Sequence, residues 1–214
     1  MGNTSSEFYS TQLSPIPQER KLVLFSDKYC SSEIQVMNII EEFSWSGENF
    51  EVCDQGGKRL FFMDGKHFTQ CKKLHDAKGN IIGRIEHKFW SLHRQLNVFN
   101  NNGDLIAVVR KETLMEITPN VFCWIKQPHE KDLPNIERTP DISMIGNWRT
   151  KQLVFVNANQ ENIAKVQRQS LKVRNYLGKQ TYECRVSENT DYAFIVMLTV
   201  CLDEIFHENH HHRH

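Results

Sequence analysis

The sequence predicts a mainly β protein: a closed antiparallel barrel of about a dozen strands wrapped around a buried, hydrophobic C-terminal helix. Three observations lead there. The chain nears its end in a run, "DYAFIVMLTVCLDEIF", that is apolar on every helical face; the stretches before it repeat one hairpin design; and a sheet of so many strands must close or split to protect its edges.

The hairpins come first in the chain. "FEVCDQGGKRLFFMDG", "KLHDAKGNIIGRI", "LNVFNNNGDLIAVVRK" and "LVFVNANQENIAKVQ" each place an apolar or alternating run, a turn rich in Asp, Asn and Gly, and a second such run. Gly57, Gly79 and Gly103 sit where a turn demands positive φ, and Asn100, Asn101 and Asn157 tolerate it. Further strand signals in "EIQVMNII", "TLMEITPNVFCWI", "DISMIGNW" and "TYECRVSE" bring the count to about a dozen. A barrel of that size has a lumen too wide for side chains alone, and a helix about 10–12 Å across would fill it. The competing topology is a two-sheet sandwich with the helix outside.

The helix itself is too short to span a bilayer. From Tyr192 to Leu202, with Thr199 its one polar member, it rises roughly 16 Å against a hydrocarbon core of about 30 Å. Asp191, Asp203 and Glu204 flank it, and carboxylates do not snorkel as Lys and Arg do. At 3.6 residues per turn Phe194, Leu198 and Cys201 share one side, Ile195, Leu202 and Phe206 another, and Val196 and Val200 a third, so no face is left for water. Tyr192, Phe194, Ile195, Val196, Leu198, Val200 and Leu202 are therefore the expected core of the helix, with Thr190 or Asp191 as its N-cap.

Composition narrows the functional classes. Lys plus Arg and Asp plus Glu are equal at 26 each, so no global charge recruits nucleic acid, and no nucleic-acid partner is expected. The six cysteines form no CxxC pair and no apolar h-region follows Met1, which reads as reduced thiols in a cytoplasmic protein. The chain divides into a flexible tail over residues 1–20, a barrel over 21–206 and a His-rich tail over 207–214.

"SGENFEVCDQGGKRLFFMDGK", "LHDAKGNIIGRIEHKFWSLHRQLNVF", "YLGKQTYECRV" and above all "DYAFIVMLTVCLDEI" resemble the LURP-one-related family, whose domain shares the Tubby C-terminal and phospholipid-scramblase fold. The resemblance runs from about Phe43 to Ile205 in the right order, and departs from the pattern at "QPHEKDLPNIERTP", Gln127 to Pro140, which reads as a surface loop. It implies the same helix-filled barrel. The scramblase features it would carry, a cysteine cluster, an acidic calcium loop and an inserting C-terminal helix, are not in this sequence, so scrambling is the least supported activity.

Two features point to membranes. "MGNTSS" fits the N-myristoylation pattern, with Gly2 exposed after methionine removal and Ser6 at the required place. One acyl chain binds with only about 10⁴ M⁻¹, so a second signal is needed. The candidate is the basic stretch Lys66, Lys72, Lys73, Lys78, Arg84, Lys88 and Arg94, with a second cluster at Lys165, Arg168, Lys172 and Arg174. By resemblance to Tubby such clusters grip a phosphoinositide or other anionic lipid head group; the alternative is a solvated barrel wall.

No GxSxG, P-loop, HExxH or dinucleotide fingerprint is present, and His67, His75, His87 and His93 define no triad, so neither enzyme chemistry nor a cofactor is expected. "HENHHHRH" lacks structural-zinc spacing and reads as a tail. The leading expectation is a non-enzymatic, myristoyl-tethered peripheral adaptor. Its rival is a soluble module that binds an unknown protein partner.

Overall fold

The structure is a computed structural model that describes residues 11–44, 47–64, 71–88, 95–112, 120–147, 150, 152–168 and 180–207. Its strands are β1 (Gln35–Ser44), β2 (Gly47–Asp54), β3 (Arg59–Asp64), β4 (Cys71–Asp76), β5 (Ile81–His87), β6 (Leu96–Asn100), β7 (Leu105–Lys111), β8 (Val121–Ile125), β9 (Ile142–Asn147), β10 (Gln152–Asn157), β11 (Asn162–Arg168) and β12 (Gln180–Val186), followed by helix α1 (Tyr192–His207). Each strand pairs antiparallel with its sequence neighbours, and β1 pairs with β12 from Gln35↔Val186 to Glu41↔Gln180, which closes the barrel. Each strand signal read from the sequence has residues on one of these strands, and residues 113–119 of "TLMEITPNVFCWI" lie outside the described residues.

Among the described residues four hairpin turns are copies of one device. In each, a leading Asp or Asn accepts main-chain N–H bonds on its side chain: Asp54 from Lys58 at 2.9 Å, Asp76 from Lys78 and Asn80 at 2.9 Å each, Asn100 from Asn102 and Asp104 at 3.0 and 2.9 Å, and Asn157 from Asn159 and Glu161 at 2.9 and 3.0 Å. The fourth turn position takes positive φ, at Gly57 (81°), Gly79 (87°), Gly103 (89°) and Gln160 (63°). Asn100, Asn101 and Asn157 are thus not left-handed. Asn100 and Asn157 lead their turns, and in the fourth hairpin the strained position falls on Gln160.

The lumen is dry. Phe61, Met63, Leu74, Ile85, Val98, Val109, Met144, Phe155 and Cys184 point inward, each no more than 2 % exposed, and meet Phe194, Ile195, Val196, Leu198, Val200 and Leu202, each no more than 1 % exposed. The helix is therefore the core and the sandwich alternative falls. Thr199, its polar member, returns its hydroxyl to the Ile195 carbonyl at 2.9 Å, so no donor is stranded.

Residues 22–31 strap the end of the barrel where α1 begins. Leu22 bridges Thr190 and Cys30 bridges Asp191. Phe25 lies on Gly83, where an added Cβ would stand 2.4 Å from Cε1 of Phe25, and reaches the Phe194 ring edge-on at 5.9 Å. Asp191 is the N-cap: one oxygen accepts Phe194 N–H at 3.1 Å, and the other accepts Leu24, Phe25 and Ser26 N–H at 3.1, 2.7 and 3.3 Å.

The tail expected over residues 1–20 is packed from residue 11 onward. Ser14 pairs with Asn162 through main-chain and side-chain bonds, and Ile16 is 3 % exposed. Residues 1–10 lie outside the described residues. The loop from Gln127 to Pro140 is tied down as well: Arg138 holds Asp141 through both guanidinium ends at 2.9 and 2.7 Å, Trp124 Nε1 donates to the Arg138 carbonyl at 2.9 Å, and Glu130 accepts Gln127 and Asn135 N–H at 2.6 Å each.

Because Gln160 alone lacks the glycine of its sister turns, Gln160→Gly should stabilise the fold by roughly 1 kcal/mol, the relief of left-handed strain less the added chain entropy. Thermal unfolding should show this as a rise of about 2–4 °C in Tm.

Candidate functional site

The described members of the basic stretch divide between the lumen and the outer wall. Lys72 lies on the same face of β4 as Leu74 and turns inward, pairing with Glu204 of α1; both side chains are 13 % exposed. Lys73 faces outward, opposite Arg84 in the β4–β5 register. Arg84 is committed locally, its Nε 2.7 Å from Glu86 and its guanidinium 4.3 Å over the Phe99 ring. Lys78 stands in the β4–β5 turn at the opposite end of β4 from Lys72 and Lys73. Lys88 follows β5 and is exposed. Lys66 and Arg94 lie outside the described residues, as does Gly2. Of the second cluster, Lys165 is only 8 % exposed, with Nζ 3.5 Å from the Thr11 carbonyl, while Lys172, Arg174 and the side chain of Arg168 are outside the described residues.

The structure gathers a different set, at the end of the barrel where α1 finishes. Glu204 accepts Lys72 on one oxygen and faces His87 Nε2 at 3.2 Å on the other. Lys111, 5 % exposed, enters from β7 with its ammonium 5.3 Å over the Phe206 ring, and Asp203 of the same helix turn is buried. Burial pushes Glu204 up, but the His87 hydrogen bond and the Lys72 charge outweigh it and hold the carboxyl below its ordinary range. The last turn of α1 is therefore an ionic plug. The sequence held one clue: Lys72 and Leu74 share strand parity, which sets the lysine on the core side.

His75 and His87 do not share a site. His75 stacks on Phe62 with centroids 4.7 Å apart, its Nδ1 3.2 Å from the Gly79 carbonyl and its Nε2 3.1 Å from Asp64. His67 and His93 are outside the described residues, and so are residues 208–214. The cysteines are all free thiols, and burial pushes Cys30 and Cys184 up to about 12, which keeps them protonated and poor nucleophiles. Among the described residues no cluster of His, Cys, Asp and Glu could hold a metal ion, and no helix is long and apolar enough to cross a membrane.

A closed antiparallel barrel whose lumen is taken up by its own C-terminal helix defines a helix-cored barrel domain. The chain belongs to the LURP-one-related family, whose profile matches residues 37–203. It is 27 % identical over 203 residues to protein LURP-one-related 15 of Arabidopsis thaliana, covering 91 % of this chain and 90 % of that one. It is 26 % identical over 201 residues to LURP-one-related 1 of the same plant, covering 89 % and 86 %. An X-ray structure of an Arabidopsis thaliana protein superposes with a TM-score of 0.63 at 23 % identity, over 86 % of this chain and 98 % of that one, a likeness of fold.

Removing the plug's carboxylate tests the assignment. Glu204→Gln should cost about 2–4 kcal/mol at neutral pH by leaving Lys72 and His87 without their shared anion. Because Glu204 is depressed in the fold, its contribution is present above the unfolded value, about 4.3, and disappears as pH falls through the folded one. Urea unfolding of both proteins should therefore converge below that range.

Proposed function

We propose that the protein is a non-enzymatic adaptor that engages its partner through the outside of the barrel. The observation that supports this is the filled lumen: α1 is buried on every side from Ala193 to Asp203, so the interior is committed to the fold. What remains for recognition is the wall, the turns and the loop from Gln127 to Pro140.

Between the two modes of recruitment, the placement of the basic residues supports a protein partner. A phosphate grip needs several convergent cations. Here Lys72 is spent on Glu204 and Arg84 on Glu86, while Arg59 pairs with Glu51 at 2.5 Å and Arg185 with Glu183 at 2.7 Å. The membrane mode draws its support from Gly2 in "MGNTSS", with the exposed Lys73 and Lys88 left to supply the second signal.

Flotation separates them. The unacylated chain should stay in the soluble fraction with vesicles containing phosphatidylserine and a phosphoinositide, at physiological salt, and Lys73→Glu should change nothing. Flotation of the chain co-expressed with N-myristoyltransferase, lost in Gly2→Ala and weakened in Lys73→Glu, is the result that overturns the protein-only mode in favour of a two-signal membrane adaptor.

A further inference from the structure

Residues 11–17 form an arm without regular secondary structure that crosses the outside of β11 and the end of β12. Its clasp is Ser14. The Ser14 N–H donates to the Asn162 carbonyl at 2.9 Å, its Oγ accepts Asn162 N–H at 3.0 Å, and its carbonyl accepts the Ser187 hydroxyl at 2.9 Å. The arm's other polar contacts lie on either side: Asn162 Nδ2 donates to the Gln12 carbonyl at 3.0 Å, Lys165 Nζ to the Thr11 carbonyl at 3.5 Å, and Asn189 Nδ2 to the Ile16 carbonyl at 2.7 Å. Under the arm Lys165 is 8 % exposed.

Ser14 is followed by an exposed Pro15, which biases it to the extended conformation in which a chain threads an enzyme cleft. We propose that Ser14 is a phosphorylation site for a proline-directed protein kinase, and that the phosphate undoes the clasp, lifting the arm and uncovering Lys165 and the wall around it. The Ser14 hydroxyl oxygen attacks the γ-phosphorus of ATP, the bond to the bridging oxygen of ADP breaks, ADP leaves, and the hydroxyl proton passes to the kinase base. The arm belongs to no strand ladder, so its local opening presents Ser14 while every barrel pairing stays intact.

The geometry explains why the phosphate releases rather than tightens. Ser14 Oγ already sits at hydrogen-bonding distance from the main chain of β11, in a half-buried position. Three further oxygens carrying about −1.5 to −2 charge do not fit between them. Glu161, the residue before Asn162, adds like charge and is held in place by Arg20 at 2.7 Å. Of the nearby cations, Arg20 is paired with Glu161 and Lys165 is engaged with Thr11 at the other end of the arm. The uncovered wall adds to the exterior surface proposed above, and the test reads the arm whichever partner that surface takes.

The purified full chain is incubated with ATP and a proline-directed kinase, the phosphate is located by mass spectrometry, and lysines are then acetylated with a soluble ester, with exposed Lys73 as internal reference. The expected result is phosphate on Ser14 and a several-fold rise in Lys165 acetylation relative to Lys73, reproduced by Ser14→Asp, with no phosphate-dependent rise in Ser14→Ala. Absence of phosphate at Ser14 overturns the site. Phosphate at Ser14 with Lys165 labelling unchanged or slowed overturns the release, the latter by showing that the phosphate pairs with Lys165.

Discussion

The carboxylate of Asp191 accepts three main-chain N–H bonds from Leu24, Phe25 and Ser26 on one oxygen and caps α1 through Phe194 N–H on the other, while the residue itself is 0 % exposed. Three parts of the chain meet in those bonds: the strap of residues 22–31, the link from β12, and the first turn of the helix. The three strap donors are part-buried and would otherwise lose their acceptor, at a cost of up to about 1–3 kcal/mol apiece. The strap in turn carries Phe25 onto Gly83 and Tyr29 against Phe61 and Tyr192, with centroids 5.5 and 5.8 Å apart, so the end of the barrel is sealed from this one point.

The two ends of the helix are held by opposite chemistry. At its start a buried carboxylate is met by main-chain dipoles; at its finish Glu204 is met by the Lys72 ammonium and the His87 ring. The pH consequences differ in sign. Burial raises Asp191 above the ordinary carboxylate range against the pull of its four donors, so its contribution is full below the unfolded value and declines as pH rises through the folded one. Glu204, held low, does the reverse. With both ends fixed and the lumen full, the interior of the barrel is committed to the fold.

The hairpins and the helix were legible in the sequence because their causes are local. An Asp or Asn followed three residues later by Gly writes its own turn, and an apolar run with no polar stripe has nowhere to go but inside. What was not legible depends on partners far along the chain. Lys72 looks like wall until Glu204 arrives at the end of the helix, and residues 11–20 look like a loose tail because their anchors are single Ser and Asn side chains, not a periodic face. Gln160 shows the limit of residue-type reasoning in another way: the turn geometry imposed left-handed φ on a residue whose chemistry does not announce it. Within the basic stretch Lys72 and Lys73 part company for a geometric reason, since neighbours in sequence alternate between lumen and solvent along a strand.

The central claim is that Asp191 ties strap, barrel and helix into one cooperative unit. The most direct measurement is urea unfolding of Asp191→Ala, read together with amide hydrogen exchange at Leu24, Phe25 and Ser26. The account predicts a loss of about 3–5 kcal/mol, because one buried and three part-buried N–H groups lose their acceptor at once, with exchange at those three amides rising to the rate of global unfolding or beyond. A variant that unfolds cooperatively within about 1 kcal/mol of the wild type, with the three amides still protected, would contradict it.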